Sequence, residues 1–318
     1  MLMLNNPILA TCIGMSAIVM WSTLVGLIRL ISIELDALTC LMLLYSLSTI
    51  ILCFVFKLPK FNQIPKIYYV LITLLFVSYE LCFSFSVALA QNHIQTIEVG
   101  VINHLWPTFT IILMLFTRYL HFNYKLLIGI FLSALGVMMI QTHGFQLSII
   151  GVLNNLLLNP ISYFLAFAAA MLWAFYCVVL MKYKPENNII VALFFCTSLY
   201  LIIKWGVNMP LSLKTIDLST SILIVCAALC LSLGYAAWNI GMINGHANIL
   251  VSSSYFVPIL SAYFSSLLFG IQLDKFFWFG TSLVVLGALI CWIVTALPSS
   301  WKYKIKNILD NSSINSRS

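Results

Sequence analysis

The sequence predicts an all-α polytopic membrane protein, with ten transmembrane helices in two inverted five-helix repeats. Three observations carry that fold class. Of 318 residues, 63% are hydrophobic and only 7% charged, with a mean hydropathy of +1.08; a soluble domain carries roughly a quarter charged residues. Ten apolar segments are long enough to span a bilayer, each near the roughly 20 residues a membrane helix needs. Landmarks also recur at a near-constant offset: Pro107 and Pro258, Gly129 and Gly280, and Gly136 and Gly287 are each 151 residues apart, and Trp21 and Trp173 are 152 apart. Such self-similarity marks an internal repeat. Five helices per copy is odd, so the second copy must enter the membrane from the opposite side. Secondary transporters often use that plan, with substrate held at the repeat interface.

The repeat divides the chain into residues 1–143, an uncharged loop at 144–160, a second unit at 161–297 and a tail at 298–318. Segment 8–30 has no basic flank or cleavage site and is too long for a signal sequence, so it reads as a retained first helix. Near its middle lies Trp21-Ser22-Thr23, too deep for an interfacial tryptophan belt. Segment 38–56 follows. Segment 67–89 centres on Tyr79 and Glu80, and Tyr79, Phe83 and Ser86 share a helical face. Segment 97–117 opens with Glu98 and carries Gly100, Asn103, Pro107 and Thr110 on one small-polar stripe, with His104 and Trp106 beside it. Pro107 cannot donate to the Asn103 carbonyl, so a bend is expected there. On an ideal helix His104 and Trp106 point about 200° apart; both reach one cavity only if the chain unwinds at Pro107 or the helix is central. Segments 125–142 and 276–297 carry the glycine pairs, which suit close helix packing in lipid.

In the second half, segment 161–181 places Trp173 deep, and segment 189–207 follows. Segment 219–241 ends in Tyr235-Ala-Ala-Trp238-Asn239. Segment 249–270 repeats the polar stripe as Ser254, Pro258, Ser261 and Ser265. Trp205, Trp278 and Trp301 sit at segment ends, as belt residues do.

With a cytoplasmic N-terminus, eleven of the fifteen Lys and Arg fall inside: Lys57, Lys60, Lys66, Arg118, Lys125, Lys182, Lys184, Lys302, Lys304, Lys306 and Arg317. Arg29, Lys204, Lys214 and Lys275 fall outside. Both termini are therefore expected in the cytoplasm. The net charge of +7 orients the protein and does not indicate nucleic acid. The tail is expected to contact anionic lipid and then to lose order. The nine cysteines lie in apolar runs without a CxxC pair, as soft packing residues in a disulfide-free chain. No HExxH, GxSxG, P-loop or GxGxxG string occurs. Neither enzyme activity nor a metal or cofactor is expected. With no soluble ATPase domain, transport would be driven by gradients.

Polar and ionisable groups at mid-membrane are functional suspects. Deep tryptophans facing a cavity suit planar or cationic solutes, although core packing explains a buried Trp as well. Glu80 has three readings: protonated and hydrogen-bonded, paired with a basic group, or meeting a substrate ammonium or coupled proton. His104 either lines a cavity or makes a structural hydrogen bond. Glu34, Asp36, Glu98 and Asp274 read as solvated segment ends.

Several strings resemble the drug/metabolite transporter superfamily in its EamA-type branch, and within it the bacterial aromatic amino acid exporters. They are Trp21-Ser-Thr-Leu-Val-Gly-Leu-Ile-Arg29, Phe76-Val-Ser-Tyr-Glu80, Ile97-Glu-Val-Gly100, Leu105-Trp-Pro107, Ser162-Tyr-Phe-Leu-Ala-Phe167, Tyr235-Ala-Ala-Trp-Asn239 and Ser254-Tyr-Phe256. The resemblance runs from about residue 8 to about 295. It implies efflux of Phe, Tyr and Trp across the inner membrane by alternating access, with a small-molecule substrate, the bilayer as surroundings and a monomer as the unit. It places Trp21, Tyr79, Glu80, Phe83, His104, Trp106, Trp173 and the Ser252–Ser254 run, Ser253 and Ser254 included, on the cavity wall. Asn103 would add a hydrogen bond, and Pro107 and Pro258 would be the bending points. His104 stands where those exporters often carry Tyr, and Phe83 replaces a Tyr; substrate preference is expected to differ there. The acidic residue common after the fourth or ninth helix is absent, with His121 and Gln272 in those regions. The alternative is an exporter of quaternary cations or other small metabolites; a membrane scaffold is the reading from another class.

Overall fold

The computed structural model describes residues 6–56, 65–89, 99–100, 102–142, 154, 156–183, 189–208, 216–270 and 275–296. Glu98, Gln272, Asp274, Trp301, most of the 144–160 loop and the 298–318 tail lie outside the described residues. Among the described residues the regular structure is helical throughout. The helices are α1 (Pro7–Glu34), α2 (Ala37–Val55), α3 (Lys66–Ala88), α4 (Trp106–Phe116), α5 (Tyr124–Thr142), α6 (Pro160–Tyr183), α7 (Ile190–Val207), α8 (Leu218–Asn244), α9 (Ala247–Ser253), α10 (Val257–Phe269) and α11 (Lys275–Ala296). A 3₁₀ turn, Ser254–Phe256, joins α9 to α10. Six helices (α1, α2, α3, α6, α7 and α8) are long and apolar enough to cross a membrane, and the shorter ones are also apolar.

Side-chain caps set several helix starts. Asn6 accepts from the Ile8 and Leu9 amides at 3.0 and 3.2 Å, with Pro7 in the first turn. Asp36 caps α2 and Asp217 caps α8, each supplying an acceptor to amides that have no partner within the helix. Burial would push the Asp36 carboxyl up, but the Thr39 hydroxyl and the Thr39 and Leu38 amides outweigh it and hold it below its usual value. Hydrogen bonds from Ser219 and Thr220 bring the exposed Asp217 carboxyl down to about 2. At its far end α4 stops at Arg118, whose φ of 60° turns the chain so that the Leu120 amide donates back to the Met114 carbonyl at 3.1 Å.

Helices pack in antiparallel pairs, as the contact order shows. On α1 and α8, Gly14 meets Gly241 and Trp21 meets Gly234. On α3 and α6, the Ser162 hydroxyl donates to the Ser86 carbonyl at 2.5 Å, while the Tyr68 and Tyr183 rings lie 4.9 Å apart at the other end. The Trp205 indole on α7 donates to Thr39 on α2 at 3.0 Å, and Ser46 meets Ser198 at 3.0 Å. On α5 and α11 the glycines interlock. A Cβ on Gly129 would lie 2.8 Å from the Gly287 carbonyl, and one on Gly136 would lie 2.6 Å from that of Gly280. These backbones touch because neither side carries a side chain.

The core between these pairs is aromatic and aliphatic. Phe54, Phe116, Ile67, Phe131 and Phe164 are exposed on the outside. A bundle this apolar on its rim has lipid as its natural surroundings. None of the nine cysteines is in a disulfide.

Candidate functional site

The polar, proline-bearing segments behave differently from the long helices. Residues 99–100 and 102–103 are helical, residues 104–105 form a turn, and α4 restarts at Trp106. The Leu105 amide donates to Ile102, three residues back, at 3.1 Å. Segment 97–117 was expected to be one bent helix; it is broken instead, and so is 249–270, at the 3₁₀ turn. The cause is the same in both. Pro107 and Pro258 lie in the first turn of the second half, where a missing N–H costs nothing, and the ladder ends just before them. Between His104 and Trp106 the backbone stays in the right-handed helical region and tightens into a single turn, with the His104 amide donating to Gly100 and the Leu105 amide to Ile102.

Where these breaks face the long helices, four tryptophans meet. The Trp21 ring centroid lies 5.8 Å from Trp173 and 5.2 Å from Trp238. Trp106 stands edge-on to Trp173 at 6.1 Å and to Trp238 at 5.5 Å. Tyr235 packs on Trp21 at 5.0 Å, Tyr79 on Trp173 at 4.8 Å, and Phe83 is parallel to Tyr79 at 6.3 Å. Helices α1, α3, α4, α6 and α8 thus contribute to one aromatic cluster. Of the expected wall residues, the structure brings Trp21, Tyr79, Phe83, Trp106 and Trp173 together. The rings touch one another, so in this conformation the cluster is packed. Trp106 and Trp173 are buried, at 5% and 2% exposure.

Glu80 lies at the edge of the cluster and is buried. One carboxyl oxygen accepts from the Tyr235 hydroxyl at 2.6 Å and the other from the Tyr45 hydroxyl. The hydrogen bonds of the first sequence reading are thus present, with both oxygens as acceptors. Asn103 is also buried, and its Oδ1 has no hydrogen-bond partner. The Trp21 indole N–H and the Ser252 hydroxyl are likewise buried and unsatisfied. Ser254 is buried and donates to the Val251 carbonyl at 2.6 Å; Ser253 is half-buried beside it, and His104 is half-buried at the turn. Tyr255 bonds Thr108 at 2.7 Å, joining the two broken helices. The Ser22 hydroxyl reaches the Val257 carbonyl at 3.3 Å, joining α1 to the second break.

Sequence reasoning noted Tyr235 and Trp238 as a motif without assigning them to the site, and it passed over Tyr45. Tyr235 could have been found, because it stands 152 residues after Phe83. Nothing in the sequence pairs Tyr45 with Glu80. A cavity of about 430 Å³ lies beyond the cluster, at one end of the bundle, lined by Met114, Met181, Met242, His121, His246 and Asn248 among others.

Polar groups held among aromatic rings, with two helices broken beside them, define a class: a multi-pass membrane protein built to handle a small solute. Comparison with known proteins makes the class specific. The chain belongs to the EamA-like transporter family, whose pattern matches residues 160–293. It is 38% identical, over 90% of its length and 97% of the other protein, to a protein named aromatic amino acid exporter YddG of Escherichia coli (strain K12). It is 36% identical, with the same coverage, to the protein of that name from Salmonella typhimurium (strain 14028s / SGSC 2262). A solved crystal structure shares the fold at a TM-score of 0.72 and 19% identity, over 92% of this chain and 100% of that one. The chain is a transporter, not an enzyme.

Proposed function

We propose that this protein exports aromatic amino acids across the bacterial inner membrane by alternating access. The observation that carries the reading is the tryptophan cluster of α1, α4, α6 and α8, set against two proline-broken helices, in a chain whose relatives are named aromatic amino acid exporters. Trp21, Trp106 and Trp173 form the walls that hold the substrate ring. Tyr79, Asn103, His104 and Ser254 offer hydrogen bonds to its polar end, with Phe83 and Ser253 beside them. The substrate ammonium reaches Glu80 by displacing one of its two tyrosine hydroxyls. Pro107 and Pro258 mark the places where each half bends.

We read the architecture as ten spans in two inverted five-helix repeats, with both termini cytoplasmic. The crossed glycine contacts support it: Gly129 meets Gly287 and Gly136 meets Gly280, the pairing a two-fold axis makes from residues 151 apart. The pairing of α1 with α8 and of α3 with α6 supports it too. Opening the packed cluster to one side and then the other is the rocking that such repeats permit.

The test is counterflow of labelled phenylalanine in liposomes, with and without a proton gradient. Trp106→Ala should abolish counterflow, and with it cellular tolerance of toxic aromatic analogues, at unchanged membrane abundance. Unchanged tolerance in that variant would remove the site assignment. Competition by a quaternary cation but not by tryptophan would favour the broader drug-export reading, and no counterflow at all would leave a scaffold.

A further inference from the structure

The end cavity is lined by none of the four clustered tryptophans. Its lining includes Met114 on α4, Met181 on α6 and Met242 on α8, all buried. These are the helices that carry Trp106, Trp173 and Trp238. Met114 and Met181 each follow their tryptophan by eight residues, and Met242 follows its own by four. At 1.5 Å per residue the thioethers lie about 12, 12 and 6 Å nearer the cavity. Each of the three methionines therefore lies on the same helix as a tryptophan of the cluster, displaced along it towards the cavity. Opposite them, His121, His246 and Asn248 bring polar groups to the mouth; His121 and His246 are exposed.

We propose that this cavity is a second binding site, a vestibule that takes up an aromatic amino acid before it enters the tryptophan cluster. The size fits, since about 430 Å³ lies within the range of small-molecule pockets, roughly 300–1,000 Å³. The lining fits as well. Thioethers favour the edges of aromatic rings and re-pack through three soft torsions, so a methionine lining holds a flat ring and can also part to pass it on. The imidazole and carboxamide groups at the mouth supply the donors that a carboxylate needs. The inference rests on the transport reading for its direction, but its ligand chemistry stands on the lining alone.

The test uses the full chain in lipid nanodiscs and a diazirine-bearing phenylalanine as photolabel, with labelled peptides identified by mass spectrometry. Label is expected in 119–123 and 242–248, reduced at least about tenfold by excess unlabelled tryptophan, both in the natural chain and in Trp106→Ala. His246→Trp, which fills the mouth, should remove that label and leave any label near Trp106 and Trp173. A natural chain without competed label at 119–123 and 242–248 overturns the vestibule. So does label that persists there unchanged in His246→Trp. Counterflow of labelled phenylalanine, run in parallel, reports on the transport reading separately: a chain that gives competed vestibule label and no counterflow keeps the site and loses the export function.

Discussion

At the residue scale, the arrangement around Glu80 answers how a carboxyl group can lie inside an apolar bundle. An unsatisfied buried polar group costs about 1–3 kcal/mol, whereas replacing both partners with apolar groups is nearly neutral. Tyr45 and Tyr235 occupy both oxygens. Tyr235→Phe should therefore lower stability by about 1–3 kcal/mol, read as a fall in melting temperature in nanodiscs. In a Glu80→Met background the same change should cost less than half as much; equal costs would show that the hydroxyl does not serve the carboxyl. Asn103 Oδ1 and the Trp21 N–H are buried without a partner, and on the export proposal they are the groups a solute would satisfy. At the rim, Asp217 sets a pH dependence. Its carboxyl is brought down to about 2 from an ordinary 3.8, so the stabilisation is complete above about pH 4 and is lost as pH falls towards 2. Between those values the natural chain should lose melting temperature that Asp217→Asn does not.

At the element scale, proline and glycine do opposite jobs. Pro107 and Pro258 open two helices, while the glycines of α5 and α11 close a seam. Gly136→Ala would place a Cβ 2.6 Å from the Gly280 carbonyl and 2.7 Å from Val284; overpacking of this kind costs about 1–3 kcal/mol. Gly206 has nothing within 4 Å of such a Cβ, so Gly206→Ala should be neutral or stabilising by up to about 1 kcal/mol. Thermal melts of the two variants side by side check both signs. Pro107→Ala restores a donor and lets α4 grow back towards 102–103. If the break is the hinge, counterflow should fall by about tenfold, equivalent to about 1.4 kcal/mol of barrier, while tryptophan binding stays within about threefold. A parallel loss of binding would make Pro107 a wall residue instead.

At the scale of the whole molecule, six long helices pack antiparallel about a centre to which the broken helices contribute side chains. Much of this was legible beforehand. Eight of the ten apolar segments match one helix each to within four residues, while 97–117 and 249–270 are interrupted; length and hydropathy decide what lipid accepts. The offset of 151 residues led to Gly129, Gly136, Gly280 and Gly287, which the fold places in contact. The deep tryptophans were singled out because rings that far from the interface have no belt to join. Tyr45 escaped notice, since a tyrosine in an apolar run has no pattern that tells core from site. The breaks read only as bends, because sequence shows that a proline lacks its N–H but not whether the ladder reforms across it. The residues expected on a cavity wall pack against one another in this conformation, and a separate cavity lies at one end. Composition cannot report which conformation a pair of half-bundles adopts.

By itself the sequence determined that the chain lives in lipid, how many apolar segments it has, where a backbone donor is missing and which polar groups fall in apolar segments. These are local or additive properties, fixed by each residue's hydropathy and hydrogen-bonding capacity. Only the tertiary structure decided that Trp21, Trp106, Trp173 and Trp238 meet, that Glu80 is held by two tyrosines, and that three methionines from three helices line one end cavity. Those contacts join residues from distant helices, and such pairings depend on how the helices pack against one another.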